Sequence, residues 1–231
     1  MNFPAATGGC FSPALIARSL PFGIFIGLLA AEPWLARQLV DVFDTRWLYG
    51  IRSLIVAGLL WLFWGCFDEL AERRLSRQDG WLALAVGCTV LFVWLTLDSR
   101  FFVLGQPGSG FQPRTEDGSL DWPLALMRLA GSALVVPILE ELFWRSLMMR
   151  WLENTNFAAV DPKKVGFFAL LSSSLVFGLE HNQWVAGTLA GLAYGWLYLR
   201  SRNLWVPILA HAVTNGGLGI WVLFTGAWYF W

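Results

Sequence analysis

A chain of 231 residues with 57 % hydrophobic and 14 % charged side chains and a mean hydropathy of +0.56 is too apolar to be a soluble globular domain. Sixteen basic residues balance sixteen acidic ones, and no basic run is long enough to track a phosphate backbone, which excludes nucleic acid as a partner. Cys10, Cys66 and Cys88 lie far apart with no C-x-x-C, so they encode neither a disulfide framework nor a thiolate metal site. Cys10 follows Gly8-Gly9, but no apolar run with a basic flank precedes it, which argues against lipidation there.

A helix needs about 20 apolar residues to cross the hydrocarbon core. The chain offers seven to eight such segments, and the fold expected is an all-α, polytopic membrane helix bundle forming a single domain over residues 1–231. The spans are expected near 13–31, 46–67, 81–104, 123–151, 164–181, 184–200 and 204–231. No cleavable signal peptide is evident, so the first span is expected to act as the insertion signal. Residues 68–79 (DELAERRLSRQD) read as a charged helical extension with a solvated face, and Gly105 to Asp121 as a flexible external loop. Trp61, Trp64, Trp228, Tyr229 and Trp231 read as interface anchors. Gly187, Gly191 and Gly195 put three bare patches on one face of the sixth span, the pattern of close helix contact. The last stretch is long enough for two short helices, broken at Asn215-Gly216-Gly217. Arg73, Arg74, Arg77, Arg150, Lys163, Lys164, Arg200 and Arg202 follow the second, fourth and sixth spans, against Arg37, Arg46, Arg100 and Arg114 on the other side. The positive-inside rule then puts the N-terminus in the cytoplasm.

Ionisable groups at membrane depth mark functional sites by default. The fourth span carries EELFWR, Glu140 to Arg145. Glu141 and Arg145 share a helix face and can neutralise one another, whereas Glu140 points about 100° away and has no local partner, leaving a free carboxylate suited to act as a general base. The fifth span ends in FGLEH, where Phe177 lies one turn from His181 and can wall its imidazole from lipid; Glu180 beside it leaves that histidine's protonation open. The last stretch carries HAVTN, which stacks His211 and Asn215 on one face, able to address the same substrate atom. Pro137 and Pro207 each sit about a turn upstream of a motif, where proline frees a carbonyl and can open space for water. Arg18, Arg52 and Arg128 lie near span ends and suit orientation or lipid headgroup contact. Counted from the basic ends of their spans, Glu140 and His211 lie about ten residues deep and His181 about seventeen, a mismatch of roughly 10 Å.

In order, E-E-x-x-x-R, F-x-x-x-H and H-x-x-x-N resemble the three motifs of the CAAX protease and bacteriocin-processing enzyme family, which includes the Rce1-type CAAX endopeptidases; the resemblance covers Trp122 to Gly217. It implies a glutamate intramembrane protease without cofactor or bound metal, whose motif-bearing core is 122–217. Glu140 would activate water, assisted by His181, while His211 and Asn215 would stabilise the oxyanion and Glu141 and Arg145 would position the helix. FGLEHNQWVAG is also similar to the CAAX prenyl protease-related subgroup found beside the bacterial exosortase sorting system, which implies a bacterial inner membrane location. The expected partners are membrane lipid and a peptide or protein substrate, which is possible with or without a lipid modification.

Three other readings use the same residues. Glu140, His181 and His211 make a one-carboxylate, two-histidine zinc set with water as the fourth ligand, although no H-E-x-x-H helix supports it. A membrane scaffold or immunity-type protein could keep the fold without chemistry, but would gain little from three buried polar clusters. A transporter could relay protons through them, and no inverted repeat points that way.

Overall fold

Three of the helices begin where a side-chain cap supplies an acceptor to the unpaired amides of the first turn. Ser12 accepts from the Leu15 amide ahead of Pro13, Ser76 from that of Asp79, and Asp121 from that of Leu124. The computed structural model describes residues 12–71, 74–98, 101–105 and 110–231. Among these, seven helices follow in order: α1 Pro13–Leu39, α2 Leu48–Leu62, α3 Arg77–Thr96, α4 Trp122–Trp151, α5 Phe167–Leu179, α6 Trp184–Ser201 and α7 Trp205–Thr225. Cys10, Arg73, Arg100, Pro107 and Gly108 lie outside the described residues.

The bundle is apolar outward as well as inward. Leu54, Trp61 and Phe224 are 74 %, 81 % and 87 % exposed, which suits a lipid-facing surface and would be costly in water. Helices α1, α3, α4 and α7 are long and apolar enough to cross a membrane, and the chain is an integral membrane protein. Helix α5 packs along α6, α3 along α7, and α4 touches α1, α2, α5 and α7.

The glycine stripe of α6 meets α5 in matching four-residue steps. A Cβ on Gly187 would come 2.9 Å from the Gly178 Cα, one on Gly191 would come 2.9 Å from the Ser174 Cα, and one on Gly195 would strike Leu170. Gly191→Leu is therefore expected to cost about 1–3 kcal/mol and lower the unfolding midpoint in detergent by about 2–12 °C. Gly58→Leu, whose Cβ meets nothing within 4 Å, is the control expected to leave the midpoint unchanged.

Three expectations are corrected. The last stretch is one helix through Gly216 and Gly217, because Gly217 is there for close packing: a Cβ on it would come 2.5 Å from Leu91 on α3. Residues 68–70 form a short 3₁₀ turn instead of a helical extension, and Glu69 is buried, bonded to Ser146 and to Arg18 at 2.9 Å, with Arg150 at 3.5 Å. Arg18 is accordingly an interior ion-pair residue, not a headgroup ligand. Residues 110–121, the described end of the external loop, are tied to the bundle where the Phe111 amide donates to the Trp231 carbonyl, and Arg114 pairs with Leu120 within the loop.

Candidate active site

Helix α4 is not a plain α-helix. Gly131–Val135 and Glu141–Met148 run as π-helix, on either side of the turn that ends in Glu140. Pro137 accounts for the first of these. The Val136 amide bonds to the Gly131 carbonyl, the five-residue step of a π turn, and the next amide, which would serve Ser132, is missing because residue 137 is proline. The Ser132 carbonyl instead accepts the Asn215 carboxamide of α7 at 3.0 Å. Pro207 acts differently: it lies in the first turn of α7, where no amide is needed, and starts the helix without bending it.

The second π turn carries the buried charges. Glu141 is fully buried and meets the Arg145 Nε at 3.1 Å, as the helical spacing requires. It also accepts from His211 Nδ1 at 2.9 Å. A carboxylate can only accept, so Nδ1 carries a proton, and the ring turns Nε2 toward Glu140, whose Oε2 is 3.8 Å away. Glu140 Oε2 is buried with no hydrogen-bond partner among the described residues. Arg145 also lies over the Phe177 ring at 4.4 Å and donates toward the Gly191 carbonyl at 3.4 Å.

His181 follows α5, which is only 13 residues long. Its Nδ1 bonds to the Phe177 carbonyl at 2.8 Å, which leaves Nε2 as the acceptor. Phe177 removes the mismatch of depth between the histidines, since its ring centre lies 4.8 Å from that of His181 and 6.2 Å from that of His211. The two imidazoles thus flank one phenyl ring.

Glu140, Glu180, His181, His211 and Asn215 all line one cavity of about 740 Å³. No His181 nitrogen comes within ion-pair distance of Glu140, and among the described residues no three His, Cys, Asp or Glu side chains are grouped to hold a metal ion, the zinc set included. Trp144 donates its indole N–H to Glu180 at 3.1 Å. Tyr194 stacks on His211 at 4.9 Å with its hydroxyl on Thr214, whose own oxygen reaches the Gly87 carbonyl at 2.9 Å. Helical spacing reveals none of these cross-helix partners; a tyrosine between the glycines of an apolar span was the one available hint.

Arg52 and Arg128 line the same cavity, and Arg52 bonds to Glu32 at 2.7 Å. At the mouth, outside the spans, Arg46 bonds to Asp44 at 2.6 Å and holds that carboxyl below its ordinary range.

Residues 122–217 match the family model described as type II CAAX prenyl endopeptidase, Rce1-like. The chain is 39 % identical over 88 residues to "Putative membrane peptidase YdiL" of Bacillus subtilis (strain 168), an overlap of 36 % of this chain and 32 % of that protein. The chain thus spans about a third of the length of this curated relative. No solved structure matches it.

Proposed function

We propose that the chain, whose residues 122–217 match the Rce1-like CAAX endopeptidase family model, is an intramembrane endopeptidase that cleaves near the C-terminus of a membrane-associated substrate. The observation that carries this reading is the cavity in which Glu140, buried without a hydrogen-bond partner among the described residues, faces His211 Nε2 at 3.8 Å. Glu140 takes a proton from water as the water oxygen attacks the peptide carbonyl. His181 Nε2 accepts the other water proton as a hydrogen bond and orients the nucleophile. The second N–H of the Asn215 carboxamide meets the oxyanion, its first being fixed on Ser132. His211, protonated at Nε2 with Glu141 balancing its charge from Nδ1, donates to the same oxygen. The proton held by Glu140 then passes to the leaving amine as the C–N bond breaks.

The test is hydrolysis in ¹⁸O-labelled water by purified protein in proteoliposomes, with a peptide ending in S-farnesylcysteine and three apolar residues. One ¹⁸O atom is expected in the new carboxylate, at a rate unchanged after dialysis against a strong zinc chelator. Stoichiometric zinc lost together with activity would replace this reading by the zinc one. No hydrolysis of this peptide or of its unprenylated form would remove the endopeptidase assignment.

A further inference from the structure

The far wall of the catalytic cavity holds a cation with no carboxylate of its own. Arg128 has no hydrogen-bond acceptor among the described residues; its guanidinium lies 3.9 Å over the Tyr49 ring and 5.5 Å from that of Phe111, and its Nε is buried and unbonded. Arg52, 4 % exposed, sits 5.1 Å from the same tyrosine ring, spends Nη1 on Glu32 and keeps a buried Nε without an acceptor. Arg46 differs, since Asp44 neutralises it. Aromatic faces stabilise a guanidinium but leave its N–H fork unfilled, and a charge removed from water calls for an anion.

We propose that Arg128, with Arg52 beside it, receives the C-terminal carboxylate of the substrate peptide. The planar fork of arginine fits a carboxylate through two parallel hydrogen bonds. Helix α4 supplies the ruler. Arg128 and Glu140 stand twelve residues apart on it, about 18 Å along the axis, and the Arg side chain takes up several ångströms of that. The remainder suits about two to four extended residues between the scissile bond and the terminal carboxylate. This rests on the endopeptidase reading, and it makes Arg128 a determinant of where the chain is cut. A phospholipid phosphate shares the chemistry, but a carboxylate brought in by the peptide reaches both arginines from inside the cavity that holds Glu140.

The experiment measures binding, so that it stands apart from cleavage. Glu140→Gln protein in nanodiscs is titrated with a fluorescent peptide ending in S-farnesylcysteine-Val-Ile-Met, as the free acid and as the C-terminal amide. The acid is expected to bind about 10- to 100-fold more tightly than the amide. Adding Arg128→Met should bring the ratio to within about threefold, while Arg128→Lys keeps part of it. A ratio near one in the Arg128 protein, no binding of either peptide, or a ratio that Arg128→Met leaves unchanged overturns the proposal. Peptides that bind alike while Arg128→Met strips co-purified phosphatidylglycerol would assign the pair to a headgroup and overturn it too. Since the ratio is taken within one protein, loss of folded material does not imitate the effect. A preference for the acid without hydrolysis by the Glu140 protein would leave this subsite standing and remove only the endopeptidase reading.

Discussion

Glu140→Gln is expected to lower the rate of peptide hydrolysis by about 10²- to 10⁴-fold while the protein still inserts and runs as a folded species in detergent. The substitution keeps the shape of the side chain and removes its capacity to take a proton. Little structural loss should follow, because Glu140 Oε2 makes no hydrogen bond among the described residues and its only ion-pair contact among them is His211 at 3.8 Å. Turnover in proteoliposomes, read beside the unfolding midpoint, separates lost chemistry from lost fold. His211→Ala should fall by a similar factor, though with some destabilisation, since it strips the Glu141 partner. Cleavage within tenfold of the parent in both variants would sink the assignment of Glu140 as general base.

Glu141→Leu is expected to have the largest effect on stability, about 3–5 kcal/mol. One buried carboxylate balances the Arg145 guanidinium at 3.1 Å and holds the His211 ring at 2.9 Å, so its removal leaves two groups unmatched. Activity should fall as well, because His211 loses the acceptor that orients its ring and balances its charge. Glu141→Gln, which still offers the ring an oxygen, should be milder on both counts. The double variant Glu141→Leu with Arg145→Met should recover part of the stability, since it removes the orphaned cation along with its partner. Additive losses in that cycle would mean that the pair contributes nothing as a pair.

What the sequence disclosed was set by how local the interaction is. Glu141 and Arg145 lie one turn apart, so helical periodicity alone pairs them, and the freedom of Glu140 follows from the same count. The bond from His211 to Glu141 spans 70 residues and depends on the register of α7 against α4, which no spacing rule reports. The same limit explains the misreadings. Asn215-Gly216-Gly217 has the composition of a break, but Gly217 answers to Leu91 on a different helix. Glu69 sits in a run rich in charge, and its partners Arg18, Ser146 and Arg150 are distant in the chain. Arg128 was the hardest to see, because what sets it apart is the acceptor it lacks.

Pro137 gives the bundle an unusual kind of precision. The seat of the Asn215 carboxamide on α7 is reserved by an amide hydrogen that α4 never possessed. Any other residue at 137 would restore that hydrogen and offer the Ser132 carbonyl a partner on its own helix, in competition with the side chain from α7. The alignment of two helices is thereby written into a single ring closure, and a substitution that looks conservative by size and polarity would unlock it.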